Sequence, residues 1–410
     1  MRLTRSRRIY LTVTALLLAP AVAACGGGSG GTAASSSNNT AGVTASGGSY
    51  KVVVLADLSG EDAPNCKPGV AGVQAAVATI NAAGGISGKK LQISVIDTQT
   101  SVDVARTSAQ QAISESPFGV IMFVTGAEGV AVTPLMQAAH IPVLSPALPD
   151  TALYPPQPGL FMPSMTATQN ADALVAFAKL KEGGSLKNAV IDIADLNDPY
   201  TEGIVSDMTP LIEAAGGKVT RVETYDYGLA SFAAQAGTIA RDKPDIVFDL
   251  GGANDTIVVS KAITASGVTA TQVGISANAS PTVVQQLDTP RYYAPSEDTY
   301  PSQNAAFLAA ATKAGQKSGV LGSTYSTAAW VATYVLTDGI EKCGANCNSA
   351  DMNAALQQVQ GYTVPLGVSY GAIDLSASNH ITASVVRFHN YNPATGQWTE
   401  SAPISIVGKS

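Results

Sequence analysis

The sequence predicts an α/β protein of two lobes, each a parallel sheet flanked by helices. Short β-branched apolar runs such as KVVVLAD (51–57) alternate with Ala-rich stretches of helical periodicity, at steps of roughly twenty to twenty-five residues, which is typical of successive βαβ units. The Pro-rich segment ALPDTALYPPQPG (147–159) interrupts this alternation, which then starts again. Two lobes therefore explain the pattern better than one large sheet.

Strand and helix patterns follow one another in a regular order before the Pro-rich break. The predicted strands are KVVVLAD, LQISVID (91–97), FGVIMFV (118–124) and IPVLS (141–145). Between them lie the helical stretches PGVAGVQAAVATINAAGG (68–85), VDVARTSAQQAIS (102–114) and EGVAVTPLMQAAH (128–140). Pro68 at the start of the first helical stretch and the Gly pair at its end are typical helix boundaries.

The alternation resumes after the break and changes again after Pro290. The predicted strands are NAVIDIAD (188–195), KVTRVETY (218–225), PDIVFDL (244–250) and TQVGIS (271–276), with helical stretches before, between and after them. Longer helical stretches follow, NAAFLAAATKAGQK (304–317) and STAAWVATYVLTDGIEK (326–342), and then DMNAALQQVQ (351–360). The tail carries strand patterns at VSYGAIDL (368–375) and ASVVRFHNY (383–391), before the turn NPATGQ.

Charge and composition narrow the classes of partner. The chain has 23 basic and 30 acidic residues and a net charge of −7. Such a surface repels phosphate backbones, so nucleic acid is excluded as a partner. With three histidines and four cysteines in 410 residues, little material is available for a transition-metal site. We expect no metal and no cofactor.

The first residues predict export and a lipid anchor. A basic start, MRLTRSRR, precedes sixteen mostly apolar residues that end at Ala24, which is typical of a secretory signal and too short for an ordinary membrane span. The sequence VAAC (22–25) resembles a bacterial lipobox, so residues 1–24 are interpreted as the signal and Cys25 as the lipidated residue. Residues 25–49 are rich in Gly, Ser and Thr and predict a flexible tether. The alternative, an uncleaved anchor helix, fits less well.

The other three cysteines predict one disulfide and one free thiol. Cys343 and Cys347 lie four residues apart in CGANC, a Gly/Asn turn between helical segments. In an oxidising compartment a local disulfide is the expected outcome, and a metal-binding pair would lack further ligands nearby. Cys66 is then left over, either as a buried free thiol or as a reactive or ligand-contacting group.

Several segments, in order, resemble the type I periplasmic binding proteins of the leucine/isoleucine/valine-binding branch, the solute receptors of ABC importers. VVVLADLSG with INAAGGISGK resembles the family's opening, HIPVLSPAL its strand ending in S-P, and NDPYTEG its D-x-x-Y-G turn. The resemblance implies two lobes joined by three hinge crossovers, near Ser164–Ala167, Pro290–Ala294 and Gly367–Asp374. The lobes would then comprise residues 50–165 with 292–370, and 166–291 with 371–410.

The resemblance also implies a ligand site between the lobes and a mechanism of hinge closure. The residues that it places at the ligand are Ser59, Asn65, Thr125, Gly126, Ala127, Ala147, Leu148, Thr166, Tyr200 and Asn254. The family closes an aromatic residue and an acid over an amino-acid ligand. Tyr200 occupies the aromatic position, and Asp255 or Glu128 could supply the acid.

Two departures from the family pattern bear on the ligand. Gly126 stands where a serine hydroxyl is usual, and Pro149 replaces a threonine, which removes both a hydroxyl and a backbone N–H. The ligand is therefore expected to be a small amino-acid-like or carboxylated solute, with an amino-acid derivative, an amide or a simple carboxylate all remaining open. Thr125, Ser145 and Ser59 also fit an ordinary role as helix caps.

Two other classes of function are alternatives to a solute receptor that feeds a permease. Gly367–Gly371 reads G-V-S-Y-G, which matches the nucleophile elbow of hydrolases, but that elbow needs a following helix, and AIDLSASNH has no helical pattern. We therefore expect no enzyme. The other alternative is a receptor that reports its ligand to a membrane sensor. The favoured interpretation is a monomeric, extracytoplasmic lipoprotein that binds a small solute, meets a membrane permease and is held at the membrane surface through Cys25.

Overall fold

The computed structural model describes residues 48–317 and 319–406. The predicted signal (1–24), the lipidation site at Cys25 and the tether as far as residue 47 lie outside the described residues. Within the described ranges, no helix combines the length and apolar character that a membrane span requires.

The strands form two separate sheets. In chain order they are β1 (Ser49–Ala56), β2 (Lys90–Asp97), β3 (Gly119–Phe123), β4 (Val143–Leu144), β5 (Leu160–Phe161), β6 (Val190–Leu196), β7 (Lys218–Tyr225), β8 (Ile246–Leu250), β9 (Thr271–Gly274), β10 (Tyr292–Ser296), β11 (Val385–Asn392), β12 (Gln397–Glu400) and β13 (Ile404–Ser405). The first sheet has the order β2-β1-β3-β4-β5 and is parallel throughout. The second has the order β12-β11-β10-β9-β8-β6-β7, with β13 beside β11.

Helices cover both faces of each sheet. In chain order they are α1 (Ala63–Ala82), α2 (Val102–Ser114), α3 (Gly126–Ala138), α4 (Asp150–Leu153), α5 (Ala167–Lys181), α6 (Pro199–Ala214), α7 (Ala233–Asp242), α8 (Ala253–Ala265), α9 (Pro281–Val284), α10 (Ala305–Lys313), α11 (Thr324–Cys343) and α12 (Met352–Leu356). In the first lobe α1 packs with α11 and α2 with α3; in the second, α5 packs with α6 and α7 with α8. Strands covered on both faces need no polar side, which explains the continuous apolar runs.

The predicted fold class is confirmed, with one addition at the end of the second sheet. Strands β6 to β10 are parallel, as expected. The tail strands β11, β12 and β13 pair antiparallel. The turn at 393–396 joins β11 directly to β12, and so short a connection permits only antiparallel pairing.

The chain crosses between the lobes three times, and two crossings come later than predicted. β10 pairs with β9 and β11 of the second sheet, so the second crossing follows Ser296 and the predicted boundary at residue 292 is too early. Pro290 precedes one more strand of the same lobe. Ile373 and Leu375 pack in the core of the first lobe, so the boundary at residue 370 is also too early. The remainder of the domain division stays a prediction.

Buried acids predict that stability falls as pH rises above neutrality. Burial raises the pKa of Asp62, Asp192 and Asp195 to about 7 and that of Asp249 to about 8. In the unfolded chain these carboxyl groups have a pKa of about 3.9. Between about pH 8.5 and pH 6.5 the folded protein therefore binds protons that the unfolded chain does not, and lowering the pH stabilises the fold. Burial lowers the pKa of His389 to about 3, which opposes this trend only below about pH 6.5.

Chemical denaturation across this range should show the midpoint rising as pH falls. Asp192→Asn should make the trend shallower, because it removes one of the four titrating carboxyl groups. It breaks no hydrogen bond, since neither carboxyl oxygen of Asp192 has a hydrogen-bonding partner. The matched control is Asp288→Asn, at an exposed position, which should leave the trend unchanged. A denaturation midpoint that stays constant or falls as the pH is lowered toward 6.5 in the wild type would contradict the raised pKa values of these buried acids.

Candidate functional site

A cleft between the lobes lies at the carboxyl ends of the strands of both sheets, where ligands bind in open α/β sheets. One part, the cleft pocket, is lined by residues that follow β1, β3, β6 and β8, and about 390 Å³ there is free of protein atoms, including space open to solvent. The other, the hinge pocket, includes crossover residues Ser164 and Glu297, with about 330 Å³ counted in the same way. Tyr200, Ala277 and Tyr325 line both pockets, so the two are neighbours.

The first-lobe wall of the cleft pocket is the N-terminus of α3. Thr125 caps this helix by accepting a hydrogen bond from the backbone N–H of Glu128 (3.2 Å). The Glu128 carboxylate in turn accepts from the backbone N–H and the hydroxyl of Thr125, each at 2.9 Å. This capping box engages both side chains, so Glu128 serves the helix rather than a ligand ammonium. The backbone N–H groups of Gly126 and Ala127 remain at the helix start, where negative charge is favoured.

Asp198, from the second lobe, occupies that helix start. It caps α6 by accepting from the backbone N–H of Tyr200 (2.9 Å). Its carboxylate also lies against Gly126 so closely that a Cβ at that position would be 2.4 Å from its Oδ1. Burial raises the pKa of Asp198, while the backbone N–H groups of Tyr200, Ala127 and Gly126 oppose the rise by favouring the charged form. One carboxylate therefore joins the two lobes across the cleft.

A second carboxylate, Asp62, lines the cleft pocket from the start of α1. It accepts from Asn65 Nδ2 (2.7 Å) and from the Cys66 thiol (3.3 Å). Its backbone N–H donates to Asp57 (2.9 Å), which fixes the loop after β1. Burial is the main reason that the pKa of Asp62 rises to about 7. Burial also raises the pKa of the Cys66 thiol, so this free, buried cysteine stays protonated and unreactive.

Tyr200 contributes a ring surface rather than a free hydroxyl. Its hydroxyl donates to the Met165 carbonyl (2.6 Å) and accepts from Asn170 (2.8 Å). Both partners lie at the first crossover or the start of α5. The ring is thereby fixed between the two pockets, where Tyr325 of the first lobe also lies.

The hinge pocket contains a buried carboxyl group at the second crossover. Glu297 accepts a hydrogen bond from the Ser164 hydroxyl of the first crossover, which ties two of the three connections together. Its other oxygen, Oε2, has no hydrogen-bonding partner. Burial raises the pKa of Glu297, and hydrogen bonds from Ser164 and the Met165 backbone oppose the rise.

The structure brings six of the ten predicted ligand residues to the cleft. Asn65, Thr125, Gly126, Ala147 and Tyr200 line the cleft pocket, and the backbone N–H of Ala127 faces Asp198.

The other four predicted ligand residues line neither pocket. Ser59 is exposed and donates to Asp97. Leu148 is fully buried in the core, against Gly129. Thr166 forms a capping box with Gln169 at the start of α5. Asn254 is exposed in the first turn of α8. Asp255, one of the suggested acids, accepts from the backbone N–H of Leu229.

Several residues at the cleft were not predicted. They are Asp62, Asp198, Tyr227, Glu297 and Tyr325. Asp198 precedes Pro199 and has the pattern of an N-cap, which concealed its second role. Tyr325 and Glu297 come from segments remote in sequence, and no local pattern marks them.

The G-x-S-x-G segment does not form a nucleophile elbow. Residues 371–384 contain no helix, and the Ser369 hydroxyl donates to the carbonyl of Gly371 (2.9 Å). His380, the first histidine after Ser369 in the sequence, has Nδ1 at 2.9 Å from the carbonyl oxygen of Leu160.

Cys343 and Cys347 form a disulfide at the end of α11, with 5.2 Å between their Cα atoms. Among the described residues, no group of three or more His, Cys, Asp or Glu could hold a metal ion.

Two lobes that enclose a cleft at their hinge define a solute-receptor fold, and the comparisons agree. The sequence model of the family described as periplasmic binding protein matches residues 49–396. No curated protein matches the sequence significantly. This chain belongs to the periplasmic binding protein family, and the predicted family membership is confirmed.

Solved structures share the fold at low sequence identity. A leucine-binding protein from Thermotoga maritima is 17% identical, with a TM-score of 0.74 over 87% of this chain and 99% of its own. A branched-chain amino acid transporter substrate-binding protein from Streptococcus pneumoniae, in complex with isoleucine, is 20% identical, with a TM-score of 0.73 over 88% and 99%. An ABC-transporter solute-binding protein from R. palustris, in complex with 4-hydroxybenzoate, is 19% identical, with a TM-score of 0.75 over 87% and 97%.

The contact between Asp198 and Gly126 predicts that Gly126→Ala opens the lobes. The added methyl group would meet Oδ1 at 2.4 Å, and such overpacking costs roughly 1–3 kcal/mol. We expect the ratio of closed to open molecules to fall about tenfold or more, and the radius of gyration measured by small-angle X-ray scattering to increase.

Gly237→Ala in α7 is the matched control, because nothing lies within 4 Å of its added Cβ. It should leave the radius of gyration unchanged. In an Asp198→Ala background, Gly126→Ala should add little further opening, since the clashing group is gone. A full additional effect in that background would contradict the proposed contact.

Proposed function

We propose that this protein is the solute receptor of an ABC importer, which closes its lobes around a small solute and presents the closed form to a membrane permease. The observation that carries this proposal is the cleft itself, which is lined from both lobes and from two crossovers. A solute that contacts both lobes binds the closed form more tightly than the open form, and so shifts the population toward closure.

The connections between the lobes support hinge closure. The bond from Ser164 to Glu297 joins the first and second crossovers, and Met162 bridges to Ile381, which joins the first to the third. The three connections therefore form one bundle, about which the lobes can rotate while each sheet stays rigid. Asp198 of the second lobe meets the start of α3 of the first lobe across the cleft, and closure brings these two lobes together.

The solute class proposed is small and amino-acid-like. The structural neighbours include proteins named for leucine and bound to isoleucine or 4-hydroxybenzoate, so pockets of this fold accept solutes of this size. In this cleft the carboxyl groups of Asp62 and Glu297 suit an amino group. A carboxylated solute without an amino group is supported less, because Asp198 already occupies the start of α3.

Anchoring at the outer face of the cell membrane completes the proposal. Membership of the periplasmic binding protein family supports a location outside the cytoplasm. Lipidation of Cys25, followed by a Gly/Ser/Thr-rich tether, would hold the receptor near a permease while leaving the lobes free to close. We propose that the protein acts as a monomer, because one chain supplies both walls of the cleft.

Thermal denaturation followed by uptake tests the proposed function. Protein that begins after Cys25, stripped of solute by denaturation and refolding, is screened against amino acids, amines, amides, carboxylates and sugars. A solute at about 100 times its Kd should add roughly 2.7 kcal/mol and raise the Tm by several degrees. Cells that lack the gene should then lose high-affinity uptake of that solute, and the Cys25→Ala protein should restore it poorly.

Normal uptake in cells without the gene, together with a changed transcriptional response to the solute, would contradict the transport role and favour a sensor. Silence across the whole panel would count against solute binding itself.

A further inference from the structure

The side chains that line the cleft include acidic groups and no basic group. Its described lining residues include three carboxyl groups, Asp62, Asp198 and Glu297, which come from the first lobe, the second lobe and the hinge. No lysine, arginine or histidine lines either pocket among the residues that the structure describes. An anionic solute would therefore enter a negative cavity without any cationic side chain to neutralise it.

The main anion-attracting feature of the cleft is already used by the protein. The N-terminus of α3 carries partial positive charge and exposed backbone N–H groups. The Asp198 carboxylate lies on those groups and is held there by the close approach that Gly126 permits. Nothing positive on this wall is left for a solute carboxylate.

Acceptor atoms without donors mark the remaining polar surface. Asn65 Oδ1, Asp198 Oδ2 and Glu297 Oε2 have no hydrogen-bonding partner. Their residues are only 4%, 3% and 7% exposed, and all three line the pockets. A buried acceptor without a donor is unfavourable, so a solute that fits must bring N–H or O–H donors. Aromatic rings of Tyr200, Tyr227 and Tyr325 complete the lining, and such rings attract cations.

We propose that the solute is a small organic cation, an aliphatic amine whose ammonium group donates to these acceptors and which carries no carboxylate of its own. This assignment rests on the proposed receptor function and departs from the amino-acid-like solute class in one respect: the solute keeps the amino group and lacks the carboxylate. Asp198 takes the place that a carboxylate of the solute would otherwise fill, so the receptor supplies the anion and the solute supplies the cation.

The dependence of amine affinity on pH, through protonation of Asp62, is a second test of the proposal. The pKa of Asp62 rises to about 7 through burial. Neighbouring groups act on it from several elements: Asp57 after β1, Cys66 on α1, Asp198 before α6, and Tyr227 and Tyr325. The carboxyl group must lose its proton to pair with an ammonium ion. Affinity for amines should therefore fall as pH is lowered through 7 and should be higher at pH 8.

Pairs of related compounds test separately whether the ammonium group and the carboxylate of an amino acid contribute to binding. Isothermal titration calorimetry of the mature, full-length lipoprotein in detergent, stripped of solute and refolded, would compare leucine with 3-methylbutylamine, which lacks the carboxylate, and 4-methylpentanoate, which lacks the ammonium group. Benzylamine and benzoate form a second pair, and 1,4-diaminobutane tests two ammonium groups. We expect the amines to bind at least tenfold more tightly than leucine or the acids.

Variants assign the effect to the named residues. Asp62→Asn and Glu297→Gln should each weaken amine binding about thirtyfold or more, as expected when one partner of a buried charge pair is neutralised. Asp198→Asn keeps an oxygen that can accept the hydrogen bond from the Tyr200 backbone N–H at the start of α6. It removes the negative charge at the start of α3, so the ratio of amine affinity to leucine affinity should fall. Asp103→Asn is the control, because Asp103 is exposed and lines neither pocket, and it should bind as the wild type does.

The outcomes distinguish this inference from the proposed function. Tighter binding of leucine or of the carboxylates than of the amines would overturn the cation assignment and leave the solute-receptor function standing. Amine binding that is unchanged in Asp62→Asn and Glu297→Gln would also overturn the assignment. Failure of every probe, including amino acids and sugars, would count against both.

Discussion

The contact between the Asp198 carboxylate and the N-terminus of α3 governs the arrangement of the cleft. It is the point at which one charged group of the second lobe is neutralised by backbone dipoles of the first. A buried carboxylate without such a partner is costly, so Asp198 is best satisfied when the lobes are closed. Gly126 makes this contact possible, because any side chain at that position would meet the carboxylate.

The other features of the cleft follow from this constraint. With the helix start occupied, the remaining lining is rich in acceptors and aromatic rings, and its carboxyl groups are protonated more readily than usual because they are buried. Closure around a cationic solute is therefore linked to the loss of a proton from a buried carboxyl group such as Asp62. The family provides the two lobes and the hinge, while a few side chains at the strand ends set the sign of the charge that is accepted.

Much of the fold could be predicted from the sequence because buried parallel strands and Ala-rich helices have distinct patterns. The second lobe boundary was predicted too early because the pattern changes at Pro290, and a proline before β10 resembles the end of a lobe. At the site, the helix start at Thr125–Gly126 was predicted from the resemblance to the family. Glu297 and Tyr325 were missed because they reach the cleft from distant segments, and Asp198 because its cap pattern fully explained its presence. Local sequence identifies the residue that caps a helix. It does not show which residues of the other lobe contact the capping side chain.

A crystal structure of the protein with the solute that it carries from the cell would test the central claim most directly. The measured quantity is the distance from the Asp198 carboxylate to the backbone nitrogens of Gly126 and Ala127. We expect hydrogen-bond distances there, with the solute's nitrogen against Asp62 or Glu297. A solute carboxylate bound at Gly126 and Ala127, with Asp198 displaced, would contradict this expectation.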